Sequence, residues 1–492
     1  LKVVVVGDGG RENAIALMLS RSSLEPKIYV ISSHVNPGLK KVAERSGGKL
    51  IICDILNRKE VRVRVDEVSP DVVVIGPEEP QFHGVSDELR GCGHAVFGAS
   101  SKLAEIEKSK VFMRELMWRY RIPGRLAYKA FTDVSQAIEY VSNAGDVVIK
   151  PARQAGGKGV KVIADLQAYL SDVKSRVRVD YTRKLISDVM SHYVDIDYKL
   201  LVEERVEGVE YTLMCITDGY TLLPLPLVQD HPHAFDNDLG PETGGMGSIQ
   251  GPGYLLPFIN EGEFRESVDI VERVLKVLQE VVGERYVGVL SGQMMLTSLL
   301  GPTVIEFYSR FGDPEVSNYI YTLDTDLLEV IDRAVSGRLA SVKLRVREDL
   351  VSVVKAVCPR GYPNNRKAAK GHPVVVDEKS IRDYGCEVLY AGVEIINGSM
   401  YTTGSRIVEL VCAGEDFDEV SRRVNKCVEF VKCVDGWDTF YRRDIGTKDL
   451  IMRRVMTADI VRNAYTYRRS KGLSTVKVDW IPGKGVITYD YS

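Results

Sequence analysis

The sequence predicts a multidomain chain of α/β class, with an N-terminal parallel sheet followed by α+β and then β-rich segments. Three observations carry that expectation. The first hundred residues alternate short, wholly apolar β-branched runs with helical stretches, as in a parallel sheet covered on both faces. A glycine-rich turn ending at Gly159 joins two strands instead of leading into a helix. Beyond about residue 332 the pattern turns mostly to strands. At 492 residues the chain exceeds one compact core, so about two to four domains are expected.

In order, Lys2–Val6 reads as a strand, Asp8–Glu12 as a turn and Asn13–Ser20 as a helix. Lys27–Ile31, Leu50–Cys53, Asp71–Ile75 and Ala95–Phe97 are further buried strands. A helix, Lys102–Tyr120, stops before Pro123. Val147–Lys150 and Gly159–Ile163 flank the glycine turn, and a long polar helical stretch follows to about residue 192. Leu200–Glu204 resumes a strand, and Tyr211–Ile216 with Thr221–Leu225 forms a hairpin around Asp218-Gly219. A Gly/Pro-rich loop spans 230–253. Helix Glu263–Val282 and strands Gly292–Leu296 and Pro302–Phe307 come next. Strands Val351–Val357, Glu387–Tyr390, Gly392–Ile396 and Ile407–Cys412 then share the chain with helix Phe417–Lys426. The tail reads as helix Lys448–Tyr467 and a hairpin, Val476–Trp480 with Gly485–Tyr489.

Composition narrows the class. Apolar content of 45% and charge of 27% are ordinary for a globular protein, and a net charge of −3 argues against general nucleic-acid or membrane-surface binding. The eight cysteines have no Cys-x-x-Cys pair and no histidines at zinc spacing, so reduced thiols in a cytoplasmic protein are expected. No apolar run approaches the ~20 residues of a membrane span.

Several segments carry chemistry. Gly7-Asp-Gly-Gly10 follows a strand and opens a helix, which suits either a tight turn or a phosphate held by backbone N–H groups. Its spacing is not that of a dinucleotide fingerprint. The turn Lys150 to Gly159 brings two lysines and several glycines onto a hairpin flap that suits a triphosphate. Leu201–Glu210 offers a strand edge for an adenine rim and carboxylates for a ribose, or simply a solvated face. Loop 229–247 is too rich in polar and glycine residues for a linker. His231 and His233 lack a nearby third metal ligand, so substrate contact or loop packing fits them better. In Val304–Glu315, a carboxylate (Glu306), a phenol (Tyr308) and a guanidinium (Arg310) fall at every second position, which in a strand is one face.

Taken in register, these segments resemble the ATP-grasp ligases, and within them the glycinamide ribonucleotide synthetase (phosphoribosylamine–glycine ligase) family. The resemblance runs from about residue 2 to residue 447. It rests on Gly7-Asp-Gly-Gly-Arg-Glu12, Asn36-Pro-Gly38, Ile75-Gly-Pro-Glu-Glu-Pro80, Ser109-Lys110, Lys150 with Gly156-Gly-Lys-Gly159, Glu203–Glu210, Gly240–Gly247, Arg310–Glu315 and Tyr441–Gly446. It implies an ATP-grasp fold: an N-terminal domain at 1–103, a central domain at 104–120 with 193–331, a mobile flap at 121–192, and a C-terminal domain at 332–446. Residues 447–492 would be a basic extension. The implied reaction joins glycine to 5-phosphoribosylamine using ATP, through a glycyl phosphate, in purine biosynthesis. The implied partners are these small molecules, with nucleic acid unlikely, no membrane, and a monomer or homodimer left open.

The resemblance also implies site roles. Lys150, Gly156, Gly157, Lys158 and Gly159 would hold the phosphates of ATP, Glu203, Glu204 and Val206 would face the adenine, and Glu210 the ribose. Glu306 would be the chief ligand of Mg²⁺ or Mn²⁺, with Tyr308 and Gln293 as further candidates. Arg310 and Lys158 would be catalytic. Gly9, Gly10, Arg11, Glu12, Asn36, Pro37, Gly38 and Glu78 would hold the amine substrate. Asp230, Asp238, Gly240, Thr243, Gly244, Gly245, Met246, Gly247 and Asp313 would complete the substrate contacts. The chain departs from the family pattern in four places: Tyr308 stands for an asparagine that is the usual second metal ligand, Asn13 for a histidine, Pro232-His233 for a basic pair, and Glu242 for an asparagine. Two alternatives follow, a ligase with a changed acceptor and a silent ATP-binding regulatory paralogue. The extension carries nine Lys/Arg against four Asp/Glu, which reads as a cap, an oligomer contact or, on charge alone, an RNA contact.

Overall fold

The computed structural model describes residues 1–143, 147–152, 161–162, 200–481 and 485–491. The expectations for Gly156, Gly157, Lys158 and Gly159, and for the polar helix up to residue 192, lie outside the described residues. The chain forms two compact units. One comprises Leu1–Ala104, Tyr211–Gly292 and Tyr308–Val455, and the other Glu105–Glu210, Gln293–Phe307 and Met456–Ser492. The segments anticipated as one central domain contribute to both.

The first unit opens with a five-stranded parallel sheet in the order Leu50–Ile52, Lys27–Ser32, Lys2–Val6, Val72–Ile75, Val96–Phe97. The unbroken valine run makes sense here because successive side chains enter opposite cores. Val3 and Val5 pack with Ala14, Ile15 and Leu19 of helix Gly10–Ser20, while Val4 and Val6 pack with Val61, Val65 and Leu89. Each fully buried valine contributes about 1.5 kcal/mol or more. The first helix begins three residues earlier than its apolar pattern suggested, because Gly9 N donates to the Glu12 carboxylate (2.8 Å) and closes the first turn.

A second, antiparallel sheet runs in the order Gly208–Thr217, Val228–Asp230, Gly247–Gln250, Val351–Pro359, Val408–Gly414, Cys386–Tyr390. The stretch 230–253, read as an irregular loop, therefore contains strands, and His233–Phe235 pairs with Leu239–Glu242 besides. Its glycines and prolines hide any alternation, yet its backbone groups are paired across the sheet. One further expectation is corrected. Cys386 and Cys412 lie directly opposite each other on adjacent strands, with Cα atoms 4.5 Å apart, and are joined as a disulfide. A separation of 26 residues in the chain gives no hint of that pairing.

In the second unit an antiparallel sheet runs Tyr128–Phe131, Leu200–Glu204, Val147–Pro151, Lys161–Val162. The single helix expected over Lys102–Tyr120 is broken at Ser109, whose side chain accepts from Phe112 N (3.1 Å) and caps Lys110–Arg119. The strand Gly301–Tyr308 carries Glu306. The tail forms helix Lys448–Ser470 and an antiparallel hairpin, Val476–Ile481 with Gly485–Asp490, close to the expected bounds.

Candidate active-site residues

In the second unit, three strands and one helix N-terminus bring a cluster of charges together. Lys150, at the end of its strand, places Nζ 2.8 Å from Glu203 and 3.8 Å from Glu306. Lys110, in the first turn capped by Ser109, reaches Glu306 at 3.7 Å. Arg114, one helical turn later and fully buried, bonds Glu203 and donates to the carbonyls of Val304 (2.9 Å) and Ile305 (2.8 Å). Arg114 thus ties the helix to the strand that presents Glu306.

The electrostatics follow from this arrangement. Burial pushes the Glu203 carboxyl up, but Arg114 and Lys150 outweigh it and bring it down to about 2. Burial likewise opposes ionisation of Glu306, and Lys110 and Lys150 overcome it, holding the carboxyl below its usual range. The Lys150 ammonium, desolvated but flanked by Glu203 and Glu306, is held above its usual range. Glu306 is therefore a carboxylate beside two ammonium groups: the lysines suit phosphate oxygens, and the carboxylate is of the type that would hold a hard metal ion. Gln293 donates to Glu210 (3.2 Å), which sets an amide and a carboxylate side by side. Among the described residues no three His, Cys, Asp or Glu side chains form a metal-binding group. Strand alternation sends Glu203 and Glu204 to opposite faces, so they do not act as a pair. Glu204 accepts from Ala127 N at 2.8 Å. Val206 follows in the half-buried turn.

The first unit holds a separate charged set. Arg11 bonds Glu12 (2.6 Å) and approaches Glu78 (3.6 Å), and Arg310 Nε lies 3.3 Å from Glu78. Burial raises the Glu78 carboxyl, and Arg310 and Arg11 reverse that and keep it ionised. The Tyr308 ring carries the Arg310 guanidinium on its face, 4.3 Å from the centroid. That answers what the phenol does in the anticipated amide position: its ring face is a platform for arginine. Arg406, missed in the sequence, donates to Asp313 (2.8 Å) and to the carbonyls of Gly244 (2.9 Å) and Gly245 (3.1 Å). Glu409 is fully buried, accepts from Ser317 (2.7 Å) and hydrogen-bonds Asp313. Burial and then the Asp313 charge push the Glu409 carboxyl far up, favouring its neutral form. Asp313 stays ionised, because Arg406 and Arg11 outweigh its own desolvation.

The glycine-rich turn after the first strand is explained by close approach. A Cβ on Gly7, whose φ is +138°, would fall 2.3 Å from Glu12, and one on Gly10 would fall 2.5 Å from a Glu409 oxygen. Gly9 N already donates to Glu12, so this turn serves Glu12 before any phosphate. Asn36 is likewise consumed internally. Its Oδ1 caps the helix Pro37–Arg45 through Gly38 N and Leu39 N, and its Nδ2 donates to Asp8 and Tyr390 carbonyls. Asn13, the replacement for a histidine, is buried and accepts from Tyr390 N (2.8 Å), a packing role.

The 230–247 segment is held from several sides. Asp238 bonds Arg442 (3.0 Å) and Arg454 (2.6 Å), and burial is again outweighed by Arg454, so it stays ionised. Thr243 Oγ1 donates to the Pro232 carbonyl (2.7 Å) and accepts from Gly245 N (3.0 Å), while Gly244 N donates to the Tyr362 hydroxyl (3.0 Å). Met246 is buried, and its N–H donates to the His231 carbonyl. Gly240 lies in the second strand of the hairpin, where its carbonyl meets His233 Nδ1, and Gly247 pairs with Lys355. Asp230 pairs with Ser248 in the next strand. Burial, reinforced by Arg442 and Arg454, pulls His231 down to about 3, so it is a neutral packing residue. Lys110, Arg114, Arg406, Glu409 and Arg442 escaped sequence reasoning as site residues. Lys110 and Arg442 had a signal in the Ser109-Lys110 and Tyr441–Gly446 motifs, whereas the others act from positions brought close only by folding.

Sequence profiles of phosphoribosylglycinamide synthetase match three parts of the chain: the N domain over residues 1–107, the ATP-grasp (A) domain over 108–316 and the C domain over 352–448. Phosphoribosylamine–glycine ligase from Methanocaldococcus jannaschii is 36% identical over 460 residues, 92% of this chain and 98% of that protein. The ligase of the same name from Methanobrevibacter smithii is 38% identical over 456 residues, again 92% and 98%. Among solved structures, phosphoribosylamine–glycine ligase from Thermotoga maritima superposes with a TM-score of 0.69 at 23% identity, covering 90% of this chain and all of that one. A biotin carboxylase domain from Hydrogenobacter thermophilus, 15% identical, gives 0.62 over 96% and 98%.

Proposed function

Since this chain belongs to the phosphoribosylglycinamide synthetase family, we propose that it joins glycine to 5-phosphoribosylamine, yielding glycinamide ribonucleotide, ADP and phosphate for purine biosynthesis. The observation that carries this reading is the Lys110–Lys150–Glu203–Glu306 cluster, on a chain related to the named ligases over 92% of its length. A changed acceptor or a silent paralogue has no comparable support, since relatives that align over 92% of the chain are named for the glycine ligation. The small-molecule substrates and the absence, among the described residues, of a helix long and apolar enough to cross a membrane suit a cytoplasmic enzyme.

The mechanism rests on charge and position. A glycine carboxylate oxygen attacks the γ-phosphorus of ATP, the bond to the bridging oxygen breaks, and ADP leaves. The amine then attacks the carbonyl carbon of the glycyl phosphate, phosphate departs with the bonding electrons, and the nitrogen loses a proton. Lys150, fixed by Glu203, and Lys110 neutralise phosphate charge; Arg114 fixes Glu203 in turn. Lys158, with Gly156, Gly157 and Gly159, would add the flap. Glu306 would hold Mg²⁺ or Mn²⁺, with Gln293 as a further oxygen donor and Glu210 kept for the ribose; such an ion would supply Lewis-acid stabilisation of phosphoryl oxygens. Arg310, braced by Glu78 and Tyr308, is suited to a carboxylate or acyl phosphate. Arg11 is suited to the phosphate of the amine substrate, and the Asp238–Gly247 segment to closing over glycine. Val206 and its turn would line the adenine through backbone groups.

The test is ADP release by purified protein with Mg²⁺, glycine and freshly generated phosphoribosylamine. Turnover that needs both substrates is expected. Turnover only with another amine or acid would transfer the reading to a different acceptor, and nucleotide binding without turnover would make the protein a silent paralogue.

A further inference from the structure

The basic extension has no counterpart in the family C domain, whose match ends at residue 448. Its last residues nevertheless lie inside the second unit. Tyr491 is 6% exposed, and its hydroxyl donates to Glu204 Oε1. Lys477 of the terminal hairpin places Nζ 3.3 Å from Glu204 Oε2. Arg125 donates to the Tyr491 carbonyl and stacks over Trp118 at 4.7 Å, and Trp118 meets the Tyr491 ring at 5.9 Å. Higher in the extension, Tyr465 lies so close to Gly301 that a Cβ there would fall 2.9 Å from its ring. The extension thus seats against the strand that carries Glu306 and grips the end of the strand that carries Glu203.

The grip has a particular target. Glu204 is buried, and its partners are Ala127 N, Tyr491 and Lys477. Its neighbour Glu203 faces the other way and fixes Lys150. The three residues after it, 205–207, form the turn that leads to Glu210. A buried carboxylate left without such donors is costly, so removing them loosens the strand end.

We propose that the C-terminal extension is a positioning element of the nucleotide site: Tyr491 and Lys477 fix Glu204, and with it the strand end and turn that receive the adenine. This rests on the ATP-binding reading given above. The role assigned to Glu204 is accordingly that of an anchor, its side chain held by the tail.

The experiment compares the full chain with Tyr491→Phe, Lys477→Met and Lys477→Arg, titrated calorimetrically with the imido analogue of ATP and assayed for turnover. Tyr491→Phe and Lys477→Met are expected to raise the nucleotide Kd and the KM for ATP about tenfold, with kcat and the KM for glycine unchanged. Lys477→Arg, which keeps the cation, is expected to stay near wild type. In a Glu204→Gln background, Tyr491→Phe is expected to add nothing, because the shared partner is already altered. Unchanged nucleotide affinity in Tyr491→Phe overturns the inference, as does a loss that adds fully to that of Glu204→Gln, which would reduce Tyr491 to general packing. Wild-type protein that binds the analogue but does not turn over glycine refutes the proposed activity, while the titrations still decide this inference.

Discussion

At Glu306 an ammonium stands 3.7 Å away on Lys110 and another 3.8 Å away on Lys150, so the carboxylate keeps its charge despite burial. Glu306→Gln keeps the shape and removes the charge that a divalent ion needs. Turnover is expected to fall about 10³-fold with the thermal midpoint little changed; an unaltered rate would take Glu306 out of the reaction. Tyr308 lends itself to a sharper comparison. Its ring face supports Arg310 at 4.3 Å, an interaction of about 0.5–2 kcal/mol. Tyr308→Leu is expected to lower kcat roughly tenfold, whereas Tyr308→Phe retains wild-type kcat. Equal losses in both variants would assign the function to the phenolic oxygen, as a metal ligand, and not to the ring.

Among the elements, the segment 230–247 shows where sequence reading stops. Its composition marked it as functional, but its strands were hidden because neighbours on the sheet, and not alternation of its own residues, define them. The N-terminal sheet was legible for the opposite reason: a buried parallel strand is written in the chain as an unbroken apolar run. Lys110, Lys150 and Glu306 could be read from motifs, while Arg406 and Glu409 could not, since Arg406 lies in a connection between strands and Glu409 inside one, and both meet Asp313 only after folding. Anchoring of the loop gives a prediction at this scale. Asp238→Asn removes the charge that Arg442 and Arg454 share. It is expected to raise the KM for glycine about tenfold and leave the nucleotide Kd unchanged; a nucleotide effect of equal size would refute the local role.

For the whole molecule, the balance of shifted carboxyls sets the response to acid. Glu203, near 2 in the folded protein against 4.5 for the free group, contributes stability that is complete above about pH 4.5 and is lost as pH falls toward 2. Glu78, Glu306, Asp238 and Asp313 are depressed as well and act in the same direction. Glu12 and Glu409 are raised, so their contribution is present at low pH and is lost as pH rises through their folded values. The thermal midpoint is therefore expected to drop steeply between about pH 4.5 and 2, and Glu203→Gln to flatten that drop while lowering stability by about 3 kcal/mol at neutral pH through the stranded Arg114 and Lys150 charges. A slope identical to wild type would remove Glu203 as its source.

The proton on Glu409 has a consequence in another kind of measurement. A neutral carboxyl group vibrates as a carbonyl, apart from the paired stretches of a carboxylate. Glu409 should therefore contribute an infrared band of its own below its raised folded pKa, shifted by exchange into heavy water and missing from a Glu409→Gln difference spectrum. Because its partner Asp313 is bonded to Arg406, that band should also move when an anion engages the arginine. The buried pair thereby supplies a label-free reporter, built into the chain, of occupancy beside Arg406.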